Sequence, residues 1–124
     1  MPLSTIADAP VFDLNGFTFH PLAVPSRGSA ELAIWALNLA PGAQSEAHSM
    51  DREEVFIVNS GSISATIAGE DLTAAAGDAI IVPPHAVLEI RNASADQPAT
   101  VTAVTSAGML ATLGGDTFPP PWAQ

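Results

Sequence analysis

The sequence contains no cysteine, no lysine and no tyrosine, and each absence removes a class of chemistry. Without cysteine there is no disulfide staple, no thiolate nucleophile and no thiolate metal site, which suits a cytoplasmic protein. Without lysine there is no internal Schiff base, and without tyrosine no phenol to act as acid or base. Acid–base chemistry from the protein therefore falls to His20, His48, His85 and the carboxylates. Arg27, Arg52 and Arg91 are the whole of the strongly basic complement, set against 13 acidic residues for a formal net charge of -10. Nucleic acid and anionic membranes are poor partners for such a surface. No apolar run approaches the length needed to cross a bilayer, and residues 1–10 lack the basic segment and apolar core of a leader. The reading is of a soluble chain with no nucleic-acid and no membrane partner.

What is present is a length of 124 residues, enough for one domain that buries roughly two thirds of its unfolded surface. Aromatic residues are only 6% of the chain, so alanine, valine, isoleucine and leucine supply most of the interior. Short β-prone stretches recur between glycine and proline turns. Residues 31–39 read ELAIWALNL, and in an extended chain Ala33, Trp35, Leu37 and Leu39 share one side before Pro41-Gly42 breaks the segment. EVFIV at 54–58 and SISATIA at 62–68 flank Asn59-Ser60-Gly61 and are expected to form a hairpin. Further strands are expected at 72–73, 79–82, 87–91, 100–105 and 109–113. The closing GGDTFPPPWAQ reads as an extended strap with Phe118 and Trp122 as anchors or cavity lining. The pattern favours a closed antiparallel sandwich or barrel over a βαβ fold.

Two segments carry more than strand propensity. Residues 42–61 read GAQSEAHSMDREEVFIVNSG, and residues 77–92 read GDAIIVPPHAVLEIRN. The first resembles the leading motif of the cupin family, with Gly42, His48, Glu54 and Gly61 at the motif's positions and Met50 where a second histidine is expected. The second resembles the family's following motif through Gly77, Pro83 and Asn92, while His85 takes a glycine position and Leu88 a histidine position. The resemblance implies an all-β, cupin-type double-stranded β-helix, that is, a jelly-roll barrel. It divides the chain into an N-terminal arm with the first strands (1–29), the barrel (30–113) and a Pro-rich strap (114–124) packed on the same domain or on a partner subunit. It also implies a homodimer.

His48 and Met50, two apart in an extended strand, point to one side, and Glu54 can join them from the next strand. In metal-binding cupins this arrangement with the later histidine gathers three imidazoles and a carboxylate around one divalent transition metal. Here Leu88 offers no donor and the Met50 thioether is a soft, weak one, so His48 and Glu54 are the residual metal candidates and no cofactor is assigned. The same pair is the candidate catalytic machinery, His48 moving a proton and Glu54 orienting it. Met50, Phe56, His85, Leu88 and Ile90 are the expected substrate-binding residues. The function expected on this basis is isomerase, cyclase or lyase chemistry on a small, largely apolar organic molecule. Two alternatives stand beside it: a non-catalytic sensing, binding or accessory domain, and a metal-dependent oxygenase with an unusual ligand set.

Overall fold

A computed structural model describes residues 2–124. Twelve strands make up the regular structure: β1 (Phe12–Leu14), β2 (Phe17–Ala23), β3 (Leu32–Leu39), β4 (Ser49–Met50), β5 (Glu54–Ser60), β6 (Ser62–Ile67), β7 (Glu70–Ala75), β8 (Ala79–Val82), β9 (Leu88–Asn92), β10 (Ala99–Ser106), β11 (Ala111–Leu113) and β12 (Asp116–Phe118). The helical pieces among the described residues are three-residue 3₁₀ turns, and no helix is long and apolar enough to cross a membrane.

The strands form three sheets, one of six strands in the order β1-β2-β3-β10-β5-β8 and two of three strands, β7-β6-β9 and β12-β11-β4. None of the three closes on itself. This corrects the jelly-roll barrel expected from the sequence: the large sheet ends on two edges, β1 and β8, with no ladder between them. Closure demands one continuous register carried around the ring. Here β4, β11 and β12 are only two or three residues long, and single bridges at Gln44–Arg91 and His48–Leu88 are what link the neighbouring segments.

Gly61 is where the expected hairpin fails. Strand β5 pairs with β10 and β8, whereas β6 pairs with β7 and β9, so the chain crosses from the large sheet to a small one between Ser60 and Ser62. The crossing runs hard against the strand-entry segment at Pro98 and Ala99. A Cβ on Gly61 would lie 2.8 Å from the Pro98 carbonyl oxygen, and the residue has φ +76°. Only glycine meets both demands without strain. True hairpins occur elsewhere, where two-residue turns with positive φ at both positions match the twist of the strands: Asn15-Gly16, Ala68-Gly69 and Gly114-Gly115.

The interior follows from strand alternation. Ala33, Trp35, Leu37 and Leu39 of β3 are all buried, as are Ala99, Val101 and Ala103 of the adjacent β10. These join Phe56 and Val58 of β5, Ile63 and Ala65 of β6, and Leu88 and Ile90 of β9 in one hydrophobic cluster spanning the sheets. Asn92 ends β9 inside this core. Its amide donates to the carbonyls of Leu39, Ala40 and Gln97, tying the end of β3 to the loop before β10. The tail folds back so that the Ser26 amide donates to the Gln124 carbonyl at 2.7 Å, and the Trp122 ring stacks on Phe19 with centroids 3.9 Å apart.

Candidate functional site

A cavity of about 250 Å³ lies between the inner face of the large sheet and the short strands opposite. Phe17 and Phe19 of β2, Trp35 and Leu37 of β3, and Glu54 and Phe56 of β5 form one wall. Met50, Ile90, Ala111 and Phe118, together with Trp122 of the tail, form the other, and Leu14, Asn15, Ser45, Glu46 and His48 bring polar and exposed groups to the lining. Strand alternation explains the first wall, because each of its residues is an inward position of a two-residue repeat.

The structure brings His48, Met50, Glu54, Phe56 and Ile90 together around this cavity. Leu88 and His85 stand outside the lining. Leu88 is buried in the core behind His48, whose amide and carbonyl each bond to it, at 3.0 and 2.7 Å. His85 is exposed, with φ +66°, and its amide donates to the Met50 carbonyl at 2.7 Å. That left-handed conformation explains why the family motif has glycine at this position: the turn requires it, and histidine occupies it here at a cost in strain. The sequence signals for Trp35, Phe17 and Phe19 were their inward alternation. Trp122 carried no such local signal.

Glu54 is the group most altered by its surroundings. It is 1% exposed, its Oε1 has no hydrogen-bond partner, and desolvation raises its pKa from 4.5 to about 8. Among the described residues no arginine offsets that burial. Arg27 is spent on the carbonyls of Pro21 and Thr5, Arg52 on Ser106 and Ala107, and Arg91 on Thr66, and none of them lines the cavity. At neutral pH Glu54 is therefore a neutral acid with a proton to donate.

His48 is held differently. Its Nδ1 lies 2.8 Å from the Glu46 carbonyl oxygen. A carbonyl can only accept, so in the neutral ring Nδ1 carries the hydrogen and Nε2 keeps its lone pair. The Glu46 backbone, not Glu54, orients the imidazole, and no hydrogen bond or ion pair joins His48 to Glu54.

These donors do not fit a resident metal ion. Among the described residues there is no group of three or more histidines and carboxylates placed to hold one. Leu88 puts hydrocarbon opposite His48, and Met50 offers only a soft, weak thioether.

A cupin domain profile matches residues 35–105, which take in most of β3, all of β5 and both motif segments. The chain belongs to the cupin domain family. Among solved structures it is similar to an RmlC-like cupin from Shewanella frigidimarina, with 20% identity over 86% of this chain and 90% of that one and a TM-score of 0.73. It is also similar to the polyketide cyclase RemF from Streptomyces resistomycificus, with 15% identity over 96% and 82% of the two chains and a TM-score of 0.75. KdgF from a Halomonas species aligns with 17% identity over 86% and 93% and a TM-score of 0.72. At these identities the likeness is one of fold. No curated protein sequence matches the chain.

Proposed function

We propose that this cupin catalyses proton transfer on a small carbonyl compound, with His48 as base and Glu54 as acid. One observation carries the reading: a buried, protonated carboxyl and an imidazole whose Nδ1 is held by the Glu46 carbonyl, leaving Nε2 without a protein partner, line the same apolar cavity.

Nε2 of His48 removes a proton from the carbon next to the carbonyl, and the released electron pair forms the carbon–carbon double bond. The carbonyl π pair moves to oxygen and takes the proton of Glu54. The product of this half-reaction is an enol, with imidazolium and carboxylate left on the protein. Returning the proton to a different carbon gives an isomer. Attack of the enol carbon on a second carbonyl of the same molecule closes a ring. Both routes return His48 and Glu54 to their starting states, and neither needs a covalent nucleophile, which suits a chain without cysteine or lysine.

The test is exchange of α-hydrogens for deuterium in a panel of small ketones, followed by nuclear magnetic resonance. His48→Ala is expected to slow exchange by about 100-fold or more, and the rate should fall as pH rises past the Glu54 value of about 8. Equal exchange in wild type and His48→Ala would overturn the reading. Tight ligand binding with no exchange would assign the cavity to binding alone.

A further inference from the structure

Five phenylalanines and two tryptophans are the entire aromatic content of the chain, and every one except Phe12 lines this single cavity. In a sequence so poor in aromatics, that concentration gives the cavity flat, polarisable walls. Trp122 and Phe19 are already stacked, 16° from parallel, and Phe17 continues the row at 6.4 Å from Phe19. Flat rings pack against such walls better than puckered ones do.

The polar side of the cavity is equally lopsided. Three buried side-chain polar atoms lack a partner among the described residues: Nε1 of Trp35, Nε1 of Trp122 and Oε1 of Glu54. All three belong to side chains that line the cavity. An indole N–H only donates, and a protonated carboxyl donates too. Each of the three thus belongs to a group able to donate to a ligand oxygen. Leaving such donors unpaired in the interior is costly, and a ligand that supplies acceptors recovers that cost.

Charge narrows the choice further. No arginine lines the cavity, so an anionic ligand such as a phosphate ester finds no guanidinium to pair with. A sugar sets a puckered ring and many hydroxyl groups against walls that are mostly apolar. The volume of about 250 Å³ exceeds the roughly 150 Å³ that accommodates benzene in an engineered apolar cavity.

We propose that the cavity takes an uncharged, planar, conjugated ketone larger than a single benzene ring, seated beside Trp122 with its carbonyl oxygen accepting from Glu54. This deepens the proton-transfer reading by naming the substrate class, and it rests on that reading only for what happens after binding. The carbonyl that accepts from Glu54 is the one polarised for removal of the adjacent proton by His48.

The experiment is calorimetric titration of the whole chain with three probes: 1-tetralone, tetralin, which is its skeleton without the carbonyl, and glucose 6-phosphate. Wild type is expected to bind 1-tetralone about tenfold more tightly than tetralin, the worth of one good hydrogen bond, and not to bind glucose 6-phosphate. Glu54→Leu should bring the two ring compounds to within about twofold of each other, while Glu54→Gln, which keeps a donor, should preserve the preference. Trp122→Leu, which removes the flat face the ligand is seated beside, provides an independent variant and should weaken both ring compounds about threefold or more. Circular dichroism confirms that each variant is folded. Binding of glucose 6-phosphate, equal affinity for tetralone and tetralin in wild type, absence of tetralone binding, or an undiminished preference in Glu54→Leu would each overturn the proposal. Selective tetralone binding without His48-dependent exchange would leave this inference standing and sink the catalytic reading alone.

Discussion

Replacing Glu54 by glutamine should change how the stability of this protein depends on pH, by an amount the structure allows to be worked out. The carboxyl is 1% exposed, and desolvation raises its pKa from 4.5 to about 8. Below pH 4.5 the group is protonated in both the folded and the unfolded chain and contributes no pH dependence. Between 4.5 and 8 the unfolded chain gives up the proton and the folded chain keeps it. The folded state then binds more protons than the unfolded state, so stability falls as pH rises, by about 1.4 kcal/mol per pH unit. Across the whole interval this comes to about 5 kcal/mol, and the stabilisation present at low pH is lost by the time pH passes the folded-state value. That is comparable with the entire stability of many domains of this size, roughly 5–15 kcal/mol. Water entering the cavity to solvate the carboxylate makes the figure an upper bound. Glutamine keeps the shape and has no proton to lose. Urea unfolding of wild type and Glu54→Gln at intervals from pH 5 to pH 8.5 checks the reasoning: the two stability curves should diverge, with the variant gaining steadily on wild type as pH rises. Parallel curves would mean that Glu54 is solvated or paired in the folded protein, and the acid assigned to the mechanism would lose its basis.

Gly61→Ala should destabilise the fold by about 2 kcal/mol or more, read from the urea midpoint, because the new Cβ meets the Pro98 carbonyl at 2.8 Å at a φ of +76°; a change under about 0.5 kcal/mol would show that the crossing tolerates a side chain. His85→Gly should be neutral or stabilising by up to about 1 kcal/mol, since glycine relieves the left-handed strain at φ +66° but adds freedom to the unfolded chain. The same variant should bind ketone probes as wild type does, and a marked loss of affinity would bring His85 back to the site.

The parts of the fold that were legible in the sequence were those governed by neighbours along the chain. Alternation in ELAIWALNL gave the buried face of β3, and the spacing of Gly42, His48, Glu54 and Gly61 gave the family and two of the cavity's titratable residues. Turn chemistry misled at Gly61, because a strand–turn–strand pattern reads as a hairpin whether the second strand returns to the first or leaves for another sheet. What decides between them is the close approach of Pro98, a contact 37 positions away in the numbering that no local window contains. The His48–Glu54 pairing was likewise a local inference, and it gave way to a backbone carbonyl two residues from His48. The aromatic wall depended on the tail returning to Phe19, which is again a matter of long-range packing.

The place of β10 in the large sheet has a consequence for how the chain reaches this structure. Its residues 99–106 lie between β3 and β5, pairing Ala99 with Leu39 and Ala103 with Phe56. A chain emerging from the ribosome thus exposes the facing edges of β3 and β5 until residues 99–106 follow them out, and each is a template for unwanted strand pairing. The sheet is completed in a step that closes about 60 residues between β3 and β10 and about 40 between β5 and β10, which places the protein among slow folders, on the scale of milliseconds to seconds. The strand that holds the centre of the molecule together is also the one for which the rest of it has to wait.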